Sequence, residues 1–191
     1  MKYGAVLAMI LLTMVVASAC AGQPPRQSLS VDDKMAVQVT LINVTSPAFD
    51  QGDRIPVKYT ADGVDMSPPL NWPHVREVSK WALICEDPDA PSGTFTHWVM
   101  YNIPGSYTGL PDGVTQQEEL SDGSMQGRNS FGKIGYNGPA PPPGKPHHYN
   151  FRVYGLDAHL DLPPGITKNE LETAMKGHVI AEGTLTGLYG R

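Results

Sequence analysis

Two acid groups stand where a hydrophobic run of the sequence ends abruptly. Asp87 and Asp89 follow the run from Trp81 to Cys85, and Pro88 and Pro91 are interleaved with them. Each proline fixes its own φ and restricts the residue before it, so the carboxylates have little freedom. The pattern predicts a strand that delivers two acid groups to a rigid loop. A surface turn is the alternative interpretation, because Asp and Pro are common turn residues.

Imidazole and phenol groups occupy comparable positions further along the chain. His97 lies at the beginning of a second hydrophobic stretch, Phe95 to Pro104, and His147 and Tyr149 begin a third, which runs to Tyr154. In an antiparallel sheet, neighbouring strands can bring such ends together. The ends would then line a small pocket with a carboxylate, imidazoles and a phenol. Taken singly, each residue is also compatible with a core histidine or a packing tyrosine.

Three chemistries can be considered for these residue types: zinc binding, hydrolysis and anion binding. Zinc binding usually needs ligands at short His or Cys spacing, which the sequence lacks. Hydrolysis needs a nucleophile, but there is no Gly-x-Ser-x-Gly elbow, and Ser92 and Ser130 have no marked context. Anion capture needs imidazolium, phenol and backbone N–H donors, the last at Gly135 and Gly138, with an Asp that orients a His through its second ring proton. We expect anion binding, with neither a metal nor a cofactor.

Hydrophobic periodicity indicates which elements position these groups. Alternating apolar residues predict strands through most of the chain, and a nearly continuous apolar run is typical of a central strand. The predicted strands lie at 37–42, at 55–59, in a short segment to which 67–72 leads, and at 81–85, 95–104, 147–154 and 179–188. The segment 106–146 is irregular and dense in glycine and proline. A loop of that length inside a compact domain is commonly functional.

One helix is predicted near the C-terminus. Thr167 and Glu170 have the spacing of a capping box, in which each side chain accepts a hydrogen bond from the backbone of the other residue. Leu171 and Met175 supply an apolar stripe, and Gly177 ends the helix.

Composition limits the classes of protein that the chain can belong to. Its 191 residues are enough for one domain with a good core, and 20 glycines with 18 prolines indicate turn-rich β structure. The formal net charge of −5 and the lack of a basic run argue against nucleic-acid binding. Cys85, in an apolar run, is expected to be a small buried hydrophobe and not a nucleophile.

The N-terminal residues resemble an export signal. Lys2 is followed by an apolar segment from Ala5 to Val16 and by the small residues Ala17 to Ala19 before Cys20. A Cys at that place resembles a bacterial lipobox, which predicts a lipid on Cys20; cleavage by ordinary signal peptidase is the alternative. We therefore expect a signal peptide at 1–20, a flexible tether at 21–36 and one domain at 37–191, held at a membrane of the cell envelope.

Several ordered motifs of this domain resemble the phosphatidylethanolamine-binding protein family, and more closely its bacterial Raf-kinase-inhibitor-like branch. The motifs are Tyr59-Thr60-Ala61-Asp62-Gly63, Ser67-Pro68-Pro69-Leu70, Asp87-Pro88-Asp89-Ala90-Pro91, His97-Trp98-Val99, Gly138-Pro139-Ala140-Pro141-Pro142 leading to His147-His148-Tyr149, Tyr154-Gly155-Leu156-Asp157 and the closing Gly187-Leu188-Tyr189-Gly190-Arg191. The resemblance spans roughly Val37 to Arg191. Several motifs in order are more specific than any one of them.

This resemblance implies a mainly β fold with two antiparallel sheets, in a Greek-key-like sandwich, and a few peripheral helices. It also implies a small pocket for phosphate-like head groups. Carried over to this sequence, the ligand-binding residues are Asp87, His97, His147 and Tyr149, with Gly138 and Pro139 shaping the wall. Asp89 matches a second family aspartate and is expected to brace the loop.

The function expected from the sequence is that of an exported, lipid-anchored domain without enzymatic activity. It would bind a small anion or a phospholipid head group. Inhibition of a protease or another envelope enzyme, through the loop 122–146 or the tether, is the alternative expectation, since some family members act in that way. Hydrolase activity is a third.

Overall fold

The computed structural model describes residues 38–191, which form a mainly β structure. The predicted signal peptide, the predicted tether, Cys20 and the start of the first predicted strand at Val37 lie outside the described residues. The strands are β1 Thr40–Leu41, β2 Leu70–Asn71, β3 Lys80–Asp87, β4 Phe95–Pro104, β5 Gly109–Leu110, β6 Met125–Gln126, β7 His147–Leu156 and β8 Val179–Tyr189. One α-helix, α1, spans Lys168–Ala174. The expectation of a mainly β fold with a helix near the C-terminus is confirmed.

The described strands form two sheets of very different size. The larger sheet has the order β1-β8-β7-β3-β4-β6, and the smaller sheet consists of β2 and β5. All neighbouring strands run antiparallel except β1 and β8, which are parallel. This one pair differs from the expected antiparallel arrangement. Most of the chain separates β1 from β8, so no tight hairpin requires them to run in opposite directions.

Strand β3 lies at the centre of the larger sheet, between β7 and β4, as its continuous apolar run predicts. Every residue from Trp81 to Asp87 is buried. Trp81, Leu83 and Cys85 pack into the larger core cluster on one face of the sheet. Ala82 and Ile84 belong to a second cluster on the other face, which includes Leu171 and Met175 of α1 and its C-terminal end. Both faces of the strand that leads to Asp87 are therefore fixed by packing.

The predicted capping box of α1 is present. Thr167 Oγ1 accepts a hydrogen bond from the N–H of Glu170, and Glu170 Oε2 accepts one from the N–H of Thr167 at 2.7 Å. Lys168 in the first turn pairs with the buried carboxylate of Glu86. Arg152 pairs with the same carboxylate at 3.1 Å. These contacts anchor the helix to the sheet beside the end of β3. Within residues 38–191, no helix has the length and apolar character needed to cross a bilayer.

The strand predicted at 55–59 is wrong. Val57–Tyr59 form a turn of 3-10 helix, in which the N–H of Tyr59 donates to Pro56 O at 2.9 Å. Thr60 then closes the turn, because its hydroxyl donates to Val57 O at 3.0 Å. Ile55 and Tyr59 are buried but Val57 is 48% exposed, so the alternation that indicated a strand covers only two inward residues. Proline in this segment favours a turn over a ladder, since it lacks an N–H donor.

The long segment 106–146 contains only the two-residue strands β5 and β6. Its later part, around residues 130–137, folds back onto the beginning of β4. The N–H of Ser130 donates to Thr96 O at 2.9 Å, and the N–H of Asn137 donates to His97 O at 3.1 Å. The irregular loop is therefore held against the first residues of β4, where His97 lies.

Candidate functional site

The ends of three adjacent strands bring the predicted site residues together. Asp87 is the last residue of β3, and it pairs with Phe95 at the beginning of β4. On the other side of β3, Glu86 pairs with Asn150 near the beginning of β7. Because both neighbours run antiparallel to β3, the end of β3 lies between the beginnings of β4 and β7. His97, His147 and Tyr149 occupy those beginnings.

A cavity of about 260 Å³ lies at this convergence. Its walls come from the loop after β3, from the first residues of β4 and β7, and from two parts of the long segment 106–146. The lining residues are Asp87, Ala90, Pro91, Ser92, Phe95, His97, Phe131, Ala140, Pro141, Pro142, His147 and Tyr149. All four side chains expected to bind a ligand, namely Asp87, His97, His147 and Tyr149, line the same space.

Asp87 holds His147 in one orientation. Its Oδ2 atom lies 2.8 Å from Nδ1 of His147, and both side chains are buried. A carboxylate accepts hydrogen bonds, so Nδ1 carries a proton and Nε2 is left for the cavity. Asp87 Oδ1 also accepts the backbone N–H of Asp89 at 2.8 Å. Asp87 therefore positions a histidine and braces the loop at the same time.

His97 is held in the same tautomer by a backbone carbonyl. Its Nδ1 donates to Asn137 O at 2.7 Å, and Nε2 has no hydrogen-bond partner among the described residues. Burial lowers the pKa of His97 below its ordinary value of 6.5; the Asn137 carbonyl and the charges of Asp87 and Asp65 oppose the shift but do not cancel it. The ring is therefore neutral at pH 7 and presents the lone pair of Nε2.

Tyr149 supplies a buried hydroxyl group. Only 1% of the residue is exposed, and its Oη atom has no hydrogen-bond partner within the described part of the chain. The ring packs edge-on against His97, with 5.2 Å between the ring centroids. Burial raises the pKa of Tyr149 well above its ordinary value, and the charge of Asp87 adds to the shift. The hydroxyl therefore keeps its proton and remains a hydrogen-bond donor.

Asp65 and Asn137 position His97, although no sequence pattern indicates a role for either. Asp65 Oδ1 accepts the N–H of Gly138 at 2.5 Å, and Asp65 Oδ2 accepts from Asn137 Nδ2 at 3.0 Å. Asn129 Nδ2 donates to Asn137 Oδ1 at 2.9 Å. Asp65 has a φ of +59°, a left-handed conformation that few non-glycine residues adopt. The carboxylate thus fixes the peptide whose carbonyl holds His97.

The predicted wall residues Gly138 and Pro139 lie behind the wall and not in it. The cavity is lined by the next three residues, Ala140, Pro141 and Pro142. A Cβ atom on Gly138 would lie 2.4 Å from Tyr59 O, and Pro139 O accepts the N–H of Ala61 at 3.0 Å. Glycine is therefore needed for close backbone packing and not for the approach of a ligand. Gly135, expected in the same lining, is likewise absent from the cavity wall.

Asp89 lies outside the cavity, in a second acid–histidine pair. Its Oδ2 accepts from the backbone N–H of His148 at 2.8 Å and lies 2.7 Å from Nδ1 of the same residue. These hydrogen bonds lower the pKa of the Asp89 carboxyl. The pair is exposed and joins the loop after β3 to β7, which is the place expected of a loop-bracing residue.

The mouth of the cavity is apolar. Phe95 and Phe131 meet edge to face with 4.8 Å between their centroids, and Phe131 is 43% exposed. Among the described residues that line the cavity, none is a lysine or an arginine. The guanidinium of Arg191 lies behind the proline wall, where it pairs with Asp62 at 2.7 Å and donates to Pro141 O at 3.4 Å. No sequence pattern indicates a role for Phe131, because it lies in the irregular segment 106–146.

Metal coordination and nucleophilic attack by a cysteine can also be compared with the described residues. Residues 38–191 contain no group of three or more His, Cys, Asp and Glu side chains arranged to hold a metal ion. Cys85 is buried, and burial raises its pKa well above the ordinary value of a thiol. A buried neutral thiol is a poor nucleophile.

A family model, curated proteins and solved structures all match this chain, and they point to the same family. A family model for phosphatidylethanolamine-binding protein matches residues 45–190. A UPF0098 protein of Methanothermobacter thermautotrophicus is 51% identical over 151 residues, which cover 78% of this chain and 99% of that protein. The crystal structure of a homologue of phosphatidylethanolamine-binding protein from Chlamydia trachomatis has a TM-score of 0.72 and 39% identity, covering 80% of this chain and 99% of that one.

E. coli YbcL, described as a member of the mammalian PEBP family, is also similar. Its crystal structure has a TM-score of 0.71 and 30% identity, covering 78% of this chain and 98% of the YbcL chain. The match to the family model extends over nearly the whole described region, including all the residues that line the cavity. The chain therefore belongs to the phosphatidylethanolamine-binding protein family.

Proposed function

We propose that the protein is a binding domain without catalytic activity, whose cavity takes a small anionic or phosphorylated ligand such as phosphate or a phospholipid head group. The buried hydroxyl of Tyr149 carries this proposal. A buried donor without a partner costs about 1–3 kcal/mol, and an oxygen atom of the ligand would accept its proton. His97 and His147 each add a ring nitrogen to the same cavity.

The size of the cavity supports a small ligand. About 260 Å³ is enough for a phosphate with a short substituent but not for the acyl chains of a lipid. The apolar rim of Phe95, Phe131 and Pro141 would contact carbon atoms next to the head group. A few hydrogen bonds contribute only some kcal/mol in total, so the affinity for a free anion should be weak, on the order of millimolar.

In the part of the chain that the structure describes, the serine that lines the cavity has no histidine base beside it, which supports binding without turnover. Ser92 lines it, yet no hydrogen bond joins Ser92 to His97 or His147 within the described residues. Nucleophilic catalysis by serine needs an adjacent base.

Hydrolase activity, which would require Asp87 and His97, stays a prediction. Inhibition of an envelope enzyme also stays a prediction, and capture of a stoichiometric enzyme from an envelope extract would support it.

Export and anchoring complete the proposal. The small-residue site before Cys20 would place a lipid on that cysteine and hold the domain at a membrane of the cell envelope. Mass spectrometry of the mature N-terminus tests this part by itself. A diacylated Cys20 is the expected result, and an unmodified Cys20 would remove the anchor from the proposal.

The ligand is tested by NMR titration of the purified protein with phosphate, cacodylate and phosphoethanolamine. Saturable shifts of amides near His97 and His147 are expected, with sodium chloride at the same ionic strength as the control. His147→Ala should weaken binding while the protein stays folded, although it also removes the buried contact with Asp87. If none of the three compounds shifts those amides, the cavity is not an anion site.

A further inference from the structure

Both histidines of the cavity are fixed in the same tautomer. Nδ1 of His97 faces the carbonyl oxygen of Asn137 at 2.7 Å, and Nδ1 of His147 faces a carboxylate oxygen of Asp87 at 2.8 Å. Both partners can only accept, so each Nδ1 carries a proton. When the rings are neutral, each Nε2 therefore offers a lone pair to the cavity. Asn137 is itself held by Asp65, so the tautomer of His97 cannot change without breaking a buried network.

The neutral cavity is consequently rich in acceptors. It offers two Nε2 lone pairs and two side-chain hydroxyl donors, the buried one of Tyr149 and the exposed one of Ser92, and the described lining residues include no lysine or arginine. A fully deprotonated phosphoryl group has only acceptor oxygens and would face these lone pairs directly. Such contacts repel, because hydrogen bonding needs a proton between the two atoms. At least one additional proton must be present between ligand and imidazole.

We infer that the cavity binds its ligand together with a proton and selects phosphoryl groups that carry a dissociable hydroxyl, namely phosphate and phosphomonoesters, over phosphodiesters. This inference rests on the proposed function and names the ligand class of the same site. A monoester can bring the proton on its own oxygen and donate it to Nε2 of His97. A diester has no such hydroxyl, so its binding depends on protonation of an imidazole.

The surrounding charges support uptake of the proton on binding. His97 faces the carboxylate of Asp87 from β3 and that of Asp65 from the loop after the 3-10 turn, and it packs against Tyr149 of β7. His147 faces Asp87 from the same side. Burial lowers the pKa of His97, so at neutral pH the empty cavity lacks this proton. A bound anion adds negative charge beside both rings and favours the protonated complex.

Calorimetric titration tests the inference, with phosphoethanolamine as the monoester and dimethyl phosphate as the diester. Each titration is carried out at pH 7.5 in two buffers of different ionisation enthalpy. The monoester should bind at least about tenfold more tightly, a preference of ~1.4 kcal/mol. Its binding heat should differ between buffers by the amount expected for uptake of one proton. Above the second pKa of the monoester, near 6, the affinity should fall about tenfold per pH unit.

Variants identify the group that takes up the proton. His97→Gln replaces the titrating ring with an amide that can donate, so the dependence of affinity on pH should become shallower. His148→Gln is the matched control, because His148 is exposed and lies outside the cavity lining. Binding with equal heats in the two buffers, or equal affinity for monoester and diester, overturns the inference and leaves the proposed function intact. No binding of either compound overturns both.

Discussion

The carboxylate of Asp87 lies 2.8 Å from Nδ1 of His147, and the same side chain accepts the backbone N–H of Asp89. One buried acid thus orients a cavity histidine and shapes the loop that follows β3. Asp89 and His148 repeat the acid–histidine contact at the surface, at 2.7 Å. The two pairs allow a buried contact to be compared with an exposed contact of the same chemistry.

Asp87→Asn should weaken both folding and binding. The amide replaces a charged hydrogen bond to a buried ring, so the free energy of unfolding should fall by about 1–3 kcal/mol. The affinity for phosphoethanolamine should fall about tenfold, because His147 loses its fixed orientation. Urea denaturation and NMR titration measure the two effects. Asp89→Asn is the control and should cost less than about 1 kcal/mol, as exposed ion pairs do. Equal losses in the two variants would contradict the assignment.

Tyr149→Phe should separate binding from stability. The lost hydroxyl is buried without a partner, so its removal should leave the free energy of unfolding unchanged or raise it by up to about 1 kcal/mol. Ligand affinity should fall about tenfold. Tyr136→Phe is the matched control, since the buried hydroxyl of Tyr136 donates to Tyr59 O at 2.6 Å. That variant should lose about 1 kcal/mol of stability. A comparable loss in Tyr149→Phe would indicate a structural role.

The stability of the ligand-free protein should fall as the pH falls through 6.5. Burial lowers the pKa of His97 in the folded protein, whereas the unfolded chain titrates near 6.5. Between these two pKa values the unfolded state binds more protons, so acidification favours unfolding. His97 should contribute up to about 1.4 kcal/mol per pH unit in that window. Urea denaturation at pH 7.5 and pH 5.5 should show a smaller difference for His97→Gln, and an identical difference would be evidence against the buried neutral ring.

Asp65→Asn should release His97 from its tautomer. The two donors, Gly138 N–H and Asn137 Nδ2, are bound by different oxygen atoms of the carboxylate, and the substitution turns one of these atoms into an NH2 group that cannot accept. One buried donor then loses its partner, and the free energy of unfolding falls by about 1–3 kcal/mol. Long-range ¹H–¹⁵N NMR of the imidazole reports which nitrogen carries the proton. Asp65→Gly is the companion variant, because glycine relieves the positive φ but removes the carboxylate. If Asp65→Gly retains the Nδ1–H form of His97, the carboxylate does not position the ring.

Strand periodicity predicted the part of the site that lies on the sheet. The runs that became β3, β4 and β7 placed Asp87, His97, His147 and Tyr149 at strand ends, and antiparallel pairing brought those ends together. The family resemblance indicated which ends belong to one pocket. The position of Tyr149 within a regular strand made its burial predictable from alternation.

The rest of the site could not be read from periodicity, because it comes from the segment 106–146 and the turn around Asp65. Phe131 packs against His97 and lines the cavity, and Asn137 O holds Nδ1 of His97, so both depend on contacts between distant parts of the chain. Such contacts leave no local pattern in the sequence. The 3-10 turn at Val57–Tyr59 differs from the predicted strand for a related reason, since Thr60 and Pro56 decide that conformation and the apolar residues do not.

His97 and His147 are expected to contact a phosphoryl ligand through Nε2. Long-range ¹H–¹⁵N NMR of the histidine side chains, recorded while phosphoethanolamine is added at pH 7, observes these nitrogen atoms themselves. Nε2 of both residues should shift saturably toward the protonated or hydrogen-bonded form, while His148 stays unchanged. Unchanged Nε2 signals of His97 and His147 at saturating ligand, or a response confined to His148, would contradict this expectation.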